Sequence, residues 1–326
     1  MKAKIFAAIK VAVTLLLFFY IFRKVDFQQF GATLRNARLD ILIGGFLLLW
    51  TAHFICIFRW RMLMKPLMPV PSVANLFGIY CIGIFFNLTF PTVVGGDVVK
   101  MYYAGRPSKS YAQSFASTFL DRDAGMLAMM IIACIAICIH PVKVPGIPVS
   151  LVIWGVFSLF ILGNVALFTP RLHRLLTRGL HSLHLAKIAH KVDHISSAFQ
   201  TMGKHPSALL WSLAISLVNQ TLVICVNWIM ALGLQLDVSF AYFLIFIPVI
   251  TLISMIPISL NGMGLREYSF MSLFGAVGVS PASCIALGVL SSIVLILSAV
   301  PGGIIYIFFR NKTDMRRLAE LETEFS

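Results

Sequence analysis

Apolar runs of about 20 residues recur along this chain, at residues 5–22, 39–58, 72–94, 119–140, 149–168, 207–232, 240–258 and 282–309. Each is long enough for a helix to cross a hydrocarbon core about 30 Å thick. Between the fifth and sixth runs lies a long polar stretch, 169–206, where Leu172, Leu175, Leu176, Leu180 and Leu183 recur at helical spacing against Arg174, Arg178 and Lys187. It reads as an amphipathic helix pair resting on anionic lipid, each Lys or Arg near the surface contributing about 1 kcal/mol.

Two of the runs are interrupted in the same way, by Pro91-Thr92-Val93-Val94-Gly95-Gly96-Asp97 and by Pro257-Ile258-Ser259-Leu260-Asn261-Gly262-Met263-Gly264-Leu265-Arg266-Glu267. Each interruption puts charge beside broken helix. Irregular backbone at bilayer depth leaves N–H and C=O groups unpaired, so it survives only where protein or a water-filled cavity covers it. Transporters build midplane sites in this manner.

Composition fixes the class: 59% of the 326 residues are hydrophobic and 12% charged, and mean hydropathy is +0.92, against a charged fraction of about 25% in soluble domains. The chain reads as an integral, multi-pass membrane protein. Its apolar start after Met1-Lys2-Ala3-Lys4 lacks a small-residue cleavage pattern and is expected to be retained. The net charge of +14 does not signal nucleic acid, because Lys and Arg lie in loops and no nucleic-acid module is present. They orient the chain instead. The segments 59–71 and 169–206 and the tail after 309 are expected in the cytoplasm, with 141–148 and 233–239 outside.

Eight plain crossings would put Lys100, Arg106 and Lys109 on the wrong side. The conflict disappears if 72–105 enters from the cytoplasm and returns there, and 240–278 does the same from outside. The expected fold is therefore all-α: six transmembrane helices plus two re-entrant helical hairpins in an inverted-topology repeat, residues 1–148 and 149–326, with both termini cytoplasmic. Arg23, Lys24, Arg35 and Arg38 would then lie outside, against the usual bias. Eight crossings with incidental Pro and Gly kinks are the competing arrangement.

Four acids lie in or against apolar segments, Asp97, Asp121, Asp123 and Glu267, in company with Lys100, Arg122 and Arg266. A charge at the centre of a membrane helix costs about 2.5 to 3.5 kcal/mol, so these residues should face a cavity or one another. Asp97 and Lys100 are one helical turn apart, and Gly95-Gly96 permits close approach of a ligand to the backbone. Arg266 and Glu267 open a helix whose free N–H groups, with the guanidinium, suit a phosphate. Asp121 and Asp123 are read as favouring the dipole at the start of helix 119–140, with Arg122 pointing elsewhere. Interfacial caps and structural ion pairs are the plainer reading of the same charges.

No metal or cofactor is expected: Cys134/Cys138 and His190/His194 have suitable spacing but no further ligands. There is no Walker loop, H-E-x-x-H or G-x-S-x-G, so no enzyme is expected.

Arg59-Trp60, Asn87 with Pro91-x3-Gly95-Gly96-Asp97, Asp121-Arg122-x2-Gly125, Asn261-Gly262-x-Gly264-x-Arg266-Glu267 and Pro301-Gly302-Gly303 together resemble the flippase-like membrane region of lysylphosphatidylglycerol synthases. The resemblance covers nearly the whole chain, and a stand-alone membrane region without the soluble synthase domain is expected. It departs from the family pattern at Lys100, where relatives usually carry Arg, and at Asp121-Arg122, where they carry Glu-Arg. It implies translocation of a membrane phospholipid or lipid-linked substrate in a bacterial or archaeal cytoplasmic membrane. The substrate-binding residues it suggests are Asn87, Gly95, Gly96, Asp97, Lys100, Asp121, Arg122, Asn261, Gly262, Gly264, Arg266 and Glu267. A non-transporting subunit that assists a partner lipid-modifying enzyme such as a glycosyltransferase, and a small-solute transporter, are the alternatives.

Overall fold

A computed structural model describes residues 12–309 apart from 15, 18, 22, 24, 91–94, 143, 147, 170–196, 257, 260 and 261. The expected amphipathic pair at 169–206 falls almost wholly outside the described residues, as do the histidines His173, His181, His184, His190 and His194 and the basic tail. The architecture is all-helical. Its main elements are α1 (Phe27–Arg35), α2 (Leu39–Met64), α3 (Val73–Thr89), α4 (Gly95–Gly105), α5 (Tyr111–Ile139), α6 (Val149–Phe168), α7 (Pro206–Gly233), α8 (Phe240–Met255), α9 (Leu265–Gly275) and α10 (Pro281–Phe309). The described residues within 12–21 and those of 197–203 are helical as well.

Local chemistry sets the helix starts. Asp26 accepts the N–H groups of Gln28 and Gln29 before α1, Ser72 accepts that of Asn75 before α3, and Pro206 opens α7, where its missing N–H is no loss. Helices α2, α5, α7 and α10 are long and apolar enough to cross a membrane. The 20 residues of α6 would reach about 30 Å. By contrast α3 and α8, with 17 and 16 residues, reach about 25 Å, and α4 and α9, with 11 each, about 16 Å.

Two helix starts and ends differ from the apolar pattern. Helix α2 continues to Met64, so Arg59, read as part of a cytoplasmic loop, lies inside it and is buried. Helix α5 begins at Tyr111, so Asp121, Arg122 and Asp123 sit about three turns in and meet no helix-start dipole. Hydropathy ends a segment at the first charge, whereas a helix carries a charged residue onward when another helix supplies its partner.

Apolar packing sorts the loops to two ends. At one end, Leu34, Ala37, Val142, Leu236, Val238, Val277 and Val279 pack on a cluster that contains Phe243, Phe270 and Phe274. There the backbone N–H of Arg38 donates to Gly233 (2.8 Å) and the Gln235 amide donates to the Asn36 carbonyl (2.7 Å). At the other end, Leu63 and Leu67 meet Phe115, Ala116, Phe168, Phe199 and Leu209, and Tyr102 stacks on Tyr111. Helices α3 and α4 pack on each other, as do α8 and α9.

The element order repeats. Helices starting at 39, 73, 95 and 111 recur with starts at 206, 240, 265 and 281, with lengths of 26, 17, 11 and 29 residues against 28, 16, 11 and 29. The leading helices of the two halves, α2 and α7, run antiparallel. Arg38 meets Gly233, the Cβ position of Gly45 meets Met230, and Arg59 meets Ser216.

Close backbone approach holds the hairpins in this frame. A Cβ at Gly302 of α10 would overlap the Cys81 carbonyl of α3, and one at Gly96 of α4 would overlap the Gly83 carbonyl of α3. Backbone cannot rotate away as a side chain can. Gly302→Ala is therefore expected to lower stability by about 1 to 3 kcal/mol through overpacking, read as a drop in the thermal unfolding midpoint in detergent. Gly44→Ala, on an exposed face of α2 with nothing within 4 Å, is expected not to lower it.

Candidate functional site

The two short return helices begin with differently covered backbone. In the first hairpin the Asn87 side chain of α3 accepts the Gly96 N–H at 2.9 Å. In the second, Gly264 takes a positive φ of 78°, and its N–H donates to Glu267 Oε2 at 2.7 Å. Glu267 is buried, at 2% exposure, and thus caps its own helix from the third helical position.

Asp97 holds the same position in α4 but faces cations. Lys100 Nζ lies 3.0 Å from Asp97 Oδ1, and Arg122 of α5 pairs with the other carboxylate oxygen. The Lys100 ammonium also lies 5.5 Å from the Trp60 ring centroid and 5.2 Å from that of Tyr80, within cation–π reach. Beside this cluster Arg59 Nε donates to Asp121 Oδ1 at 2.7 Å and Arg59 Nη1 to Ser216 Oγ at 2.8 Å, so one guanidinium ties α2, α5 and α7 together.

Aligned start to start, the helices of the second half carry neutral counterparts at these points. Ser292 of α10 matches Arg122 and donates to Glu267 Oε1 at 2.8 Å. Ser291 matches Asp121 and donates to Asn227 of α7 at 3.1 Å. Arg266 Nη1 lies 3.4 Å from Ser292 Oγ, a long contact for a guanidinium.

A cavity of about 290 Å³ opens between the halves, lined by Arg122 and Arg266 together with Asn227, Thr251, Ser254 and Ser291 among apolar residues. Two guanidiniums from different halves can share an anion, and the apolar walls suit an attached chain. Among the described residues no group of three His, Cys, Asp or Glu could hold a metal.

The sequence-derived residues therefore divide. Arg122 and Arg266 line the cavity, while Asp97 and Lys100 join it through Arg122. Arg122 points at Asp97, correcting the expectation that it points elsewhere. Asp121 is committed to Arg59, and Asn87 and Glu267 cap backbone. At Gly95, Gly96, Gly262 and Gly264 the space a Cβ would need is taken by Phe90, Gly83 with Asn87, Ser254 and Leu17 respectively, so these glycines serve protein packing rather than approach of a ligand. Asn261 lies outside the described residues. Sequence reasoning missed Asn227, Thr251, Ser254 and Ser291, because single Ser, Thr and Asn residues leave little trace in an apolar run.

No curated protein and no solved structure matches the chain. The family described as the lysylphosphatidylglycerol synthase TM region matches residues 7–304. The chain, a multi-pass membrane protein with two broken-helix hairpins and a two-guanidinium cavity, belongs to the lysylphosphatidylglycerol synthase TM-region family.

Proposed function

We propose that the protein is a lipid translocator, not an enzyme, in which α3–α4 and α8–α9 are re-entrant hairpins entering the bilayer from opposite faces. The observation that carries this reading is the meeting of Arg122 and Arg266 in one apolar-walled cavity. Arg122 and Ser292 each lie about three turns, or about 16 Å, into α5 and α10, near the middle of a core about 30 Å thick. The lining favours an anion: its charged residues, Arg122 and Arg266, are both cations. A phosphodiester headgroup would sit between the guanidiniums while its acyl chains stay in the bilayer.

With the loops ending α2, α4 and α6 in the cytoplasm, Lys65, Arg106, Lys109 and Lys204 satisfy the usual orientation bias. Of the basic residues that would lie outside, Arg38 is paired with Asp40 at 2.7 Å. Both termini are then cytoplasmic, and the partners are a phospholipid or lipid-linked substrate, the anionic surface, and any enzyme that makes the lipid. Movement is downhill, proton-linked or driven by the membrane potential, which supplies about 2.3 kcal/mol per charge per 100 mV.

In a background lacking the six native cysteines, Ser72→Cys and Ser110→Cys are expected to react with an impermeant maleimide from one side, and Ser239→Cys and Ser280→Cys from the other. Reaction of Ser72→Cys and Ser110→Cys from opposite sides would remove the first re-entrant hairpin.

Translocation is measured in proteoliposomes by dithionite quenching of a fluorescent phosphatidylglycerol. Arg266→Ala should slow it about ten- to hundredfold, the value of a lost charge-assisted hydrogen bond of about 1.5 to 3 kcal/mol, without loss of fold, with Arg266→Lys between. Wild-type rates in Arg266→Ala would discard the phosphate assignment. Failure of the wild type to move lipid would favour the assisting-subunit reading.

Arg59 and Asp121 are assigned a structural role. Removing either leaves a buried charge without its partner, so Arg59→Ala or Asp121→Ala should cost about 3 to 5 kcal/mol. The readout is thermal unfolding in detergent.

A further inference from the structure

A second pocket lies apart from the two-arginine cavity, on the other flank of α5, where α6 and α7 meet it. Its volume is about 160 Å³, and its walls include Leu120, Leu127, Phe168 and Leu213 with three polar residues, Asp123, Asn164 and Ser212. That space equals about five water molecules at about 30 Å³ each, or one short alkylammonium group.

The polar groups converge as acceptors. Asp123 Oδ1 accepts one hydrogen bond, from the Asn164 amide at 3.1 Å, and has no ion-pair partner among the described residues. The same Asn164 amide nitrogen also donates to the Phe160 carbonyl at 3.0 Å. Both amide hydrogens are thereby used, and only the carbonyl oxygen of that side chain is left to face a ligand. Ser212 is buried at 1% exposure, and its hydroxyl has no hydrogen-bond partner.

Each of the other interior acids described above is fully met: Asp97 by two cations, Asp121 by Arg59 and Glu267 by a backbone N–H and a serine. Asp123 is the exception. A carboxylate against apolar walls with one neutral donor is costly to keep ionised. A group with a positive charge and several N–H donors would complete it, and a primary ammonium has three donors and no acceptor.

The pocket also lies where such a group could enter. Asn164 is about one turn from the end of α6 and Ser212 fewer than two turns from the start of α7. Leu162, Val165, Leu210 and Trp211 beside it are exposed apolar residues, as expected of a flank that faces lipid. We propose that Asp123, Asn164 and Ser212 form a binding site for a primary ammonium group, distinct from the two-arginine cavity. The group is the headgroup amine of an aminophospholipid or a free small amine. The site does not depend on how Arg122 and Arg266 work.

The test uses the full chain in detergent, with retained lipid measured by native mass spectrometry and stability by thermal shift. Phosphatidylethanolamine, phosphatidylcholine and ethylammonium chloride are the probes. Phosphatidylethanolamine is expected to be retained at least tenfold more than phosphatidylcholine, whose trimethylammonium group has no N–H. Asp123→Asn, of nearly the same shape, should abolish that preference, and Ser212→Ala should weaken it. Stabilisation by ethylammonium alone would make the ligand a free amine, whereas stabilisation by phosphatidylethanolamine alone would make it the lipid. Equal retention of the two lipids by wild type, with no shift from ethylammonium, would overturn the proposal without reference to any variant. So would an unchanged preference in Asp123→Asn.

Discussion

The structure turns on what happens to backbone N–H groups where a membrane helix is broken. A helix start leaves its first donors without intrahelical partners, and in a hydrocarbon setting water is not there to take them. The protein meets this twice. Asn87 reaches across from the neighbouring arm to Gly96, and Glu267 folds back on Gly264. Both solutions pull polar side chains to the breaks, and these in turn require partners on the long helices behind them. That is why Arg122 and Ser292 stand at matching points of α5 and α10.

The two halves solve the same geometry with different chemistry. In the first, the inter-helix ties are ionic: Arg59 with Asp121, and Asp97 with Lys100 and Arg122. In the second they are neutral: Asn227 with Ser291, and Glu267 with Ser292. Neutral ties leave Arg266 without a carboxylate within salt-bridge distance among the described residues, so its charge is directed into the cavity. Asymmetry between matched positions is thus what gives a nearly symmetric frame one positive pocket.

Much of this was legible in the sequence. Proline and glycine beside charge marked both breaks, and the short list of acids in apolar runs led to Asp97 and Glu267 as the residues just past them. What could not be read was pairing across distance. Arg59 and Asp121 are 62 positions apart, and a hydropathy pattern treats each as a segment end because it scores charges singly. The helices run on through them because each neutralises the other in the fold. Asn227 and Ser291 were hidden for the opposite reason: small polar side chains that bond within or between helices cost little and leave the apolar run intact.

The cavity's two cations are held with unequal strength, and this bears on turnover. Arg122 reaches it while paired with Asp97, and Arg266 reaches it with only the long contact to Ser292 at 3.4 Å. On the proposed function, an entering phosphate would compete with Asp97 at one guanidinium and gain a nearly new partner at the other. Conduction through any selective site needs binding strong enough to admit a substrate and weak enough to release it. A carboxylate that recaptures Arg122 as the phosphate leaves supplies the second half of that requirement. Lys100, bound to Asp97 and resting against Trp60 and Tyr80, keeps the carboxylate in place in the interval. Removing Asp97 would then tighten the hold on the anion, where removing Arg266 would loosen it, and both would slow translocation.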